Sequence, residues 1–181
     1  MNKLVAVMML SAACALAQSL DFSSLDKLAS KAKEVNRVSL TGEQLRAALQ
    51  MLPQDENKGA NREQLRKLAA GLTSVNVRNF EFASTGQYSD ADLNSVRSQM
   101  ERMKGWAKII DSKEEHERSE VFMLTEDDRP MGLAVIAAEP TEVSVIFIKG
   151  PLNLRDLGSL GGLMGLPSMQ LGPQPRSAAR K

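Results

Sequence analysis

The 181 residues contain one cysteine, one histidine, one tryptophan and one tyrosine. A zinc site needs three or four converging ligands, mostly Cys and His, and any Ser–His or Cys–His nucleophile pair would have to be built on His116. Surplus charge of either sign is also lacking, since 23 Lys and Arg stand against 22 Asp and Glu, a formal +1. That balance argues against a nucleic-acid partner, because binding there draws on excess cations to displace counterions from phosphates. Neither a G-x-x-x-x-G-K-[ST] phosphate loop nor a G-x-S-x-G nucleophile elbow occurs. Aromatics make up 4% of the chain, but 43% of residues are hydrophobic, which suits one globular domain with an ordinary core.

What is present begins with an export signal. Met1-Asn2-Lys3 is a short positive start, Leu4 to Leu10 is uninterrupted apolar sequence, and Ala15-Leu16-Ala17 is a small-x-small cleavage site. The apolar run, about 14 residues, falls short of the ~20 that span a bilayer. Ser11-Ala12-Ala13-Cys14 loosely resembles the lipobox of lipoproteins, with Ser11 where that motif prefers Leu. Cleavage after Ala17 is therefore expected, with lipidation and anchoring at Cys14 as the alternative. The mature chain then has no cysteine and no net charge, so an apolar core has to hold it without disulfides.

Periodicity divides the rest. Phe22, Leu25, Leu28 and Ala29 mark a short amphipathic helix, and 34–40 is a weak strand. Thr41-Gly42-Glu43-Gln44 has capping-box spacing and opens a helix through Leu45, Ala48, Leu49 and Leu52, which Pro53 ends. After a polar loop over 54–60, Asn61 is expected to cap a second helix through Leu65, Leu68, Ala69 and Leu72. Residues 74–82 alternate as a strand whose apolar phase slips between Val77 and Phe80, the mark of a bulge or of a strand apolar on both faces. Ser89, with Asp90 and Asp92 behind it, starts the clearest helix, striped by Leu93, Val96, Met100 and Met103 and stopped by Gly105. Four strands follow over 106–111, 120–125, 131–138 and 142–148, joined by connections short enough for an antiparallel meander. Gly150-Pro151 ends the sheet, Leu152 to Leu160 suggests a last short helix, and 161–181 is a low-complexity tail of Gly, Pro, Ser and Met.

Little in this pattern carries chemistry. Glu114-Glu115-His116-Glu117 has metal-ligand residue types, but it falls in a hairpin loop where neighbours point apart, so a solvated turn is expected. Asp90 with Asp92 and the Glu126-Asp127-Asp128 run fit helix-cap and turn roles better than acid–base or calcium work. Met100 and Met103 read as core, while the tail with Met164, Leu166, Met169 and Leu171 reads as a dispensable terminus, with docking on a partner or membrane surface as the alternative.

Taken together, the signal, LDFSSLDKLASKAKEVNRVSLTGEQLRAAL, SVNVRNFEF, MKGWAKII and VSVIFIKGPLNLRDLGSL resemble a family of small exported bacterial proteins catalogued as a domain of unknown function, of the Bacteroidetes and Acidobacteria type. The likeness spans about Leu20 to Leu160. It implies an envelope location, a non-catalytic role and a link to envelope signalling, and it transfers no catalytic or binding residue.

The expected organisation is a signal peptide over 1–17, one α+β domain over 18–160 and a flexible tail over 161–181. The domain should hold an antiparallel sheet of about five strands from Val75 onward, packed with helices and preceded by a helical region. The expected role is an exported, periplasmic or secreted, non-enzymatic module that binds an envelope protein and needs no cofactor or metal. Oligomeric state is left open, and contact with a membrane is expected only if Cys14 is lipidated. A carrier of a small apolar ligand or lipid is the alternative, since a curved sheet under helices can enclose a pocket. A hydrolase built on scattered carboxylates ranks below both for want of a nucleophile–base pair.

Overall fold

The computed structural model describes residues 19–51 and 59–153. The expected export signal with Cys14, the helix stop at Pro53, most of the polar loop after it, and the chain from 154 on lie outside the described residues. A 3-10 turn at Ser23–Leu25 runs into α1 (Asp26–Ala29), and Leu25 and Leu28 from this short piece are fully buried. Strand β1 (Glu34–Thr41) leads directly into α2 (Gly42–Met51). The capping box at that junction forms as its spacing requires. Gln44 Oε1 accepts the Thr41 N–H at 2.9 Å, and the Gln44 N–H donates to Thr41 Oγ1 at 3.2 Å. Gly42 is needed there, because a Cβ would stand 2.0 Å from the Leu72 carbonyl oxygen.

Helix α3 (Gly59–Gly71) starts earlier than its sequence suggests. Asn61 lies inside its first turn, so the expected cap at Asn61 is corrected: the helical path is already set two residues before it. Strand β2 (Ser74–Glu81) keeps continuous register with both neighbours, which resolves its slipped phase in favour of two apolar faces without a bulge. A 3-10 turn at Asp90–Leu93, closed by a Ser89–Asp92 capping box, precedes α4 (Asn94–Arg102). The remaining strands are β3 (Trp106–Lys113), β4 (Arg118–Glu126), β5 (Arg129–Glu139) and β6 (Glu142–Lys149).

All six strands form one antiparallel sheet in the order β1-β2-β6-β5-β4-β3. The expected meander from β3 to β6 is present, and the expectation of about five strands is exceeded by β1. This weak strand belongs to the sheet because Val38 and Leu40 lie opposite Val77 and Val75. Between β2 and β3 the chain crosses to the far edge, and the meander then returns β6 to a place beside β2.

Each face of the sheet has its own core. On one, Phe80, Phe122, Leu124, Ile136, Val145 and Phe147 pack under Leu25, Leu28, Leu93, Val96 and Met100. On the other, Val75, Val121, Leu133, Val135, Ile146 and Ile148 pack with Leu68, Leu72 and Leu152. Side chains of this size contribute about 1.5–3 kcal/mol each on full burial, so the two layers hold the domain without a cross-link.

Candidate functional site

The stripe on α4 contains a charged residue that an apolar reading passes over. Arg97 stands four residues after Leu93 and three before Met100, and so it faces the sheet with them. On β4, Glu120 shares a face with Phe122 and Leu124, which points its carboxylate into the same layer. The two meet: Arg97 Nε donates to Glu120 Oε2, with side chains 8% and 0% exposed. Two more cations reach Glu120 Oε1, Lys108 at 2.7 Å and Arg118 at 3.3 Å. A buried carboxylate is costly unless paired, and here both oxygens accept from cationic donors, Oε2 from one and Oε1 from two.

An outer ring of acids balances these cations. Asp90 accepts from Arg97 at 2.6 Å and Arg118 at 3.2 Å, while Asp111 accepts from Lys108 at 3.3 Å and Arg118 at 3.5 Å. The electrostatics follow from these contacts. The bond to Glu120 raises the Lys108 pKa against the opposing effect of burial. Burial also works against the Arg97 charge, but Asp90 and Glu120 outweigh it and raise its pKa. The Lys108 ammonium holds the Asp111 carboxyl below its ordinary range. This network ties α4 to β3 and β4 at one end of the sheet.

Above the network lies a cleft of about 380 Å³, between the chain at 85–90, the β3–β4 hairpin tip and the start of the β5–β6 turn. Asp90 and Arg118 belong to both the network and the cleft wall. Tyr88 forms another part of the wall. Its ring stacks on Phe82 with centroids 5.2 Å apart, and its hydroxyl donates to the Glu139 main-chain oxygen. Burial, followed by the Glu139 charge, raises the Tyr88 pKa, and burial together with Glu142 and Glu117 raises that of Glu139. The hairpin tip supplies Glu114, His116 and Glu117 to the mouth.

The residues singled out by sequence fall as follows. The run 114–117 is an exposed turn, with the His116 side chain 73% exposed and Nε2 3.8 Å from Glu115, and it also lines the cleft. Asp92 caps its turn and pairs with Lys27 at 2.8 Å, whereas Asp90 does more than cap, since it binds two arginines. Asp127 and Asp128 form the β4–β5 turn at φ 48° and 58°. Met100 is buried and Met103 half-buried against the same core. Among the described residues, no three His, Cys, Asp or Glu side chains are placed to hold a metal ion, and no helix is long and apolar enough to cross a membrane. Sequence reasoning missed Arg97, Glu120 and Tyr88. The usable signal was a charge at a core position of the α4 stripe and another in phase with two core residues of β4.

No curated protein and no solved structure matches the chain. A family model does match over residues 24–160, which takes in all six strands and α1 to α4. On that match the chain belongs to the family described as Domain of unknown function (DUF4252).

Proposed function

We propose that the chain is an exported, non-catalytic interaction module of the bacterial cell envelope, linked to envelope signalling, that docks a protein partner in the cleft beside the β3–β4 hairpin. One observation carries the reading: Asp90 and Arg118, which form part of the cleft wall, are anchored on the buried Glu120–Arg97 pair. A wall fixed by buried charge is preorganised, and preorganisation lowers the ordering cost of binding. Four carboxylates line the cleft (Asp90, Glu114, Glu115 and Glu117) against Lys113 and Arg118, so the favoured partner segment presents a cationic side chain. The His116 imidazole, largely in solvent and beside a glutamate, lacks the buried base and oriented nucleophile that acyl or phosphoryl transfer needs.

The lining also weighs between docking and ligand carriage. An apolar ligand or lipid calls for a predominantly apolar cavity, whereas this cleft is walled largely by charged and hydroxyl side chains. Packing on both faces of the sheet favours docking for the same reason. The test is site-specific photo-crosslinking in cells from position 85, an exposed residue of the cleft wall. We expect an adduct with an envelope protein that disappears in the variant Glu114→Lys/Glu115→Lys/Glu117→Lys, which alters only exposed residues. An adduct unaffected by the reversal would remove the cleft as the docking site. A small apolar molecule co-purifying in native mass spectrometry would favour the carrier.

A further inference from the structure

We infer that β1 is the contact strand of a homodimer, pairing antiparallel with β1 of a second copy about a two-fold axis at Val38. The two sheet edges differ. Strand β3 breaks register between Lys108 and Ile110, a bulge of the kind that discourages further pairing. Strand β1 runs from Glu34 to Thr41 in unbroken register with β2, with no strand beyond it among the described residues.

Main-chain groups along β1 alternate between β2 and the open side. The Gly42 N–H donates to the Thr73 oxygen on the β2 side, while the Thr41 N–H turns away to Gln44. Carried back along the strand, this alternation directs the N–H and C=O of Val35, Arg37 and Ser39 outward.

The side chains select the occupant. Register places Val38, Val77, Ile146, Val135, Val121 and Ile110 in one row across all six strands. The row is buried at its middle and half-buried at Val38, where it ends at the open edge. A two-fold axis normal to the sheet keeps each face on its own side, so only residues of equal parity can lie opposite one another. Centring on Arg37 sets arginine against arginine, and centring on Ser39 shortens the overlap. Centring on Val38 continues the apolar row into the other copy, sets Arg37 opposite Ser39, and places no like charges directly opposite. Arg37 and Ser39 of the two copies then exchange both main-chain hydrogen bonds. Arg78 donates to Ser39 Oγ at 3.0 Å and so lies beside Arg37 of the other copy, and Asp26, 3.6 Å from Arg37, offsets part of this cationic charge in each copy.

The experiment is sedimentation equilibrium of the mature full chain alongside three variants. Ser39 is exposed, so its substitution leaves the core untouched and changes, within the chain, the contact in which its Oγ accepts from Arg78. Ser39→Glu places a carboxylate within reach of Arg37 of the other copy as well as Arg78 of its own and should tighten the dimer about tenfold. Ser39→Arg, set against both, should weaken it by a similar factor, with thermal melts of the monomeric fraction separating any effect on the fold. Arg37→Pro removes an outward N–H and should leave a folded monomer. A wild-type monomer at the highest soluble concentration would overturn the inference. A dimer that none of the three variants shifts would overturn it too, as would a monomer whose β1 edge instead captures a strand from a different protein.

Discussion

Glu120 sits among Arg97, Lys108 and Arg118 with no exposed side-chain surface, so the result of changing it depends on what is left behind. Glu120→Leu leaves three cations facing an apolar wall and should cost about 3 kcal/mol, whereas the double variant Arg97→Met/Glu120→Leu should lose clearly less than the sum of its singles. Urea unfolding of the four proteins checks this, and strictly additive losses would mean that the pair is not coupled. Asp92 gives the acid-side counterpart. The Lys27 hydrogen bond, then that of the Ser89 N–H, lowers its pKa from 3.8 to about 2. A depressed folded value contributes stability that is complete above about pH 4 and is lost as pH falls through 2. Asp92→Asn should therefore flatten stability over that window and cost about 1 kcal/mol at neutral pH through the weakened cap. Thermal melts between pH 2 and 7 measure both effects. Individual charges of this kind were only partly legible in the sequence. Asp92 announced itself through Ser89-x-x-Asp92, but Glu120 and Arg97 become partners only once α4 lies on β4, and sequence spacing does not encode that crossing.

At the scale of elements, local pattern carried furthest where one signal was strong. The meander from Trp106 to Lys149 followed from short connections between apolar runs, and the Thr41–Gln44 box placed the start of α2. Pattern failed where a weak signal was outvoted by tertiary contact. Asn61 looks like a cap but is passed through by a helix already formed at Gly59, and β1 looks marginal until β2 supplies its partner. The β4–β5 turn offers a direct test of local design. Asp127 and Asp128 both take positive φ, the type I′ arrangement for which Asn-Gly is preferred. Asp127→Asn/Asp128→Gly should raise stability by about 0.5–1 kcal/mol in chemical denaturation, and a loss would show that the aspartates serve something other than the turn.

For the whole molecule, the strand order is the least legible feature. Nothing local indicates that the chain crosses from β2 to the far edge and returns β6 beside β2, yet that path brings the 85–90 chain over the β3–β4 hairpin tip and so creates the cleft. Function read from sequence alone therefore stopped at a solvated turn over 114–117 and an apolar stretch in the tail. The fold adds an acid-rich cleft at the same turn, and docking at the cleft and docking through the tail make opposite forecasts. The most direct measurement is an in-cell crosslinking pulldown of three tagged proteins: the full chain, the chain lacking 161–181, and the full chain carrying the 114/115/117 charge reversal. The cleft account predicts the same envelope partner for the first two and its loss from the third. Loss on deletion of the tail, with capture unchanged by the charge reversal, would contradict it.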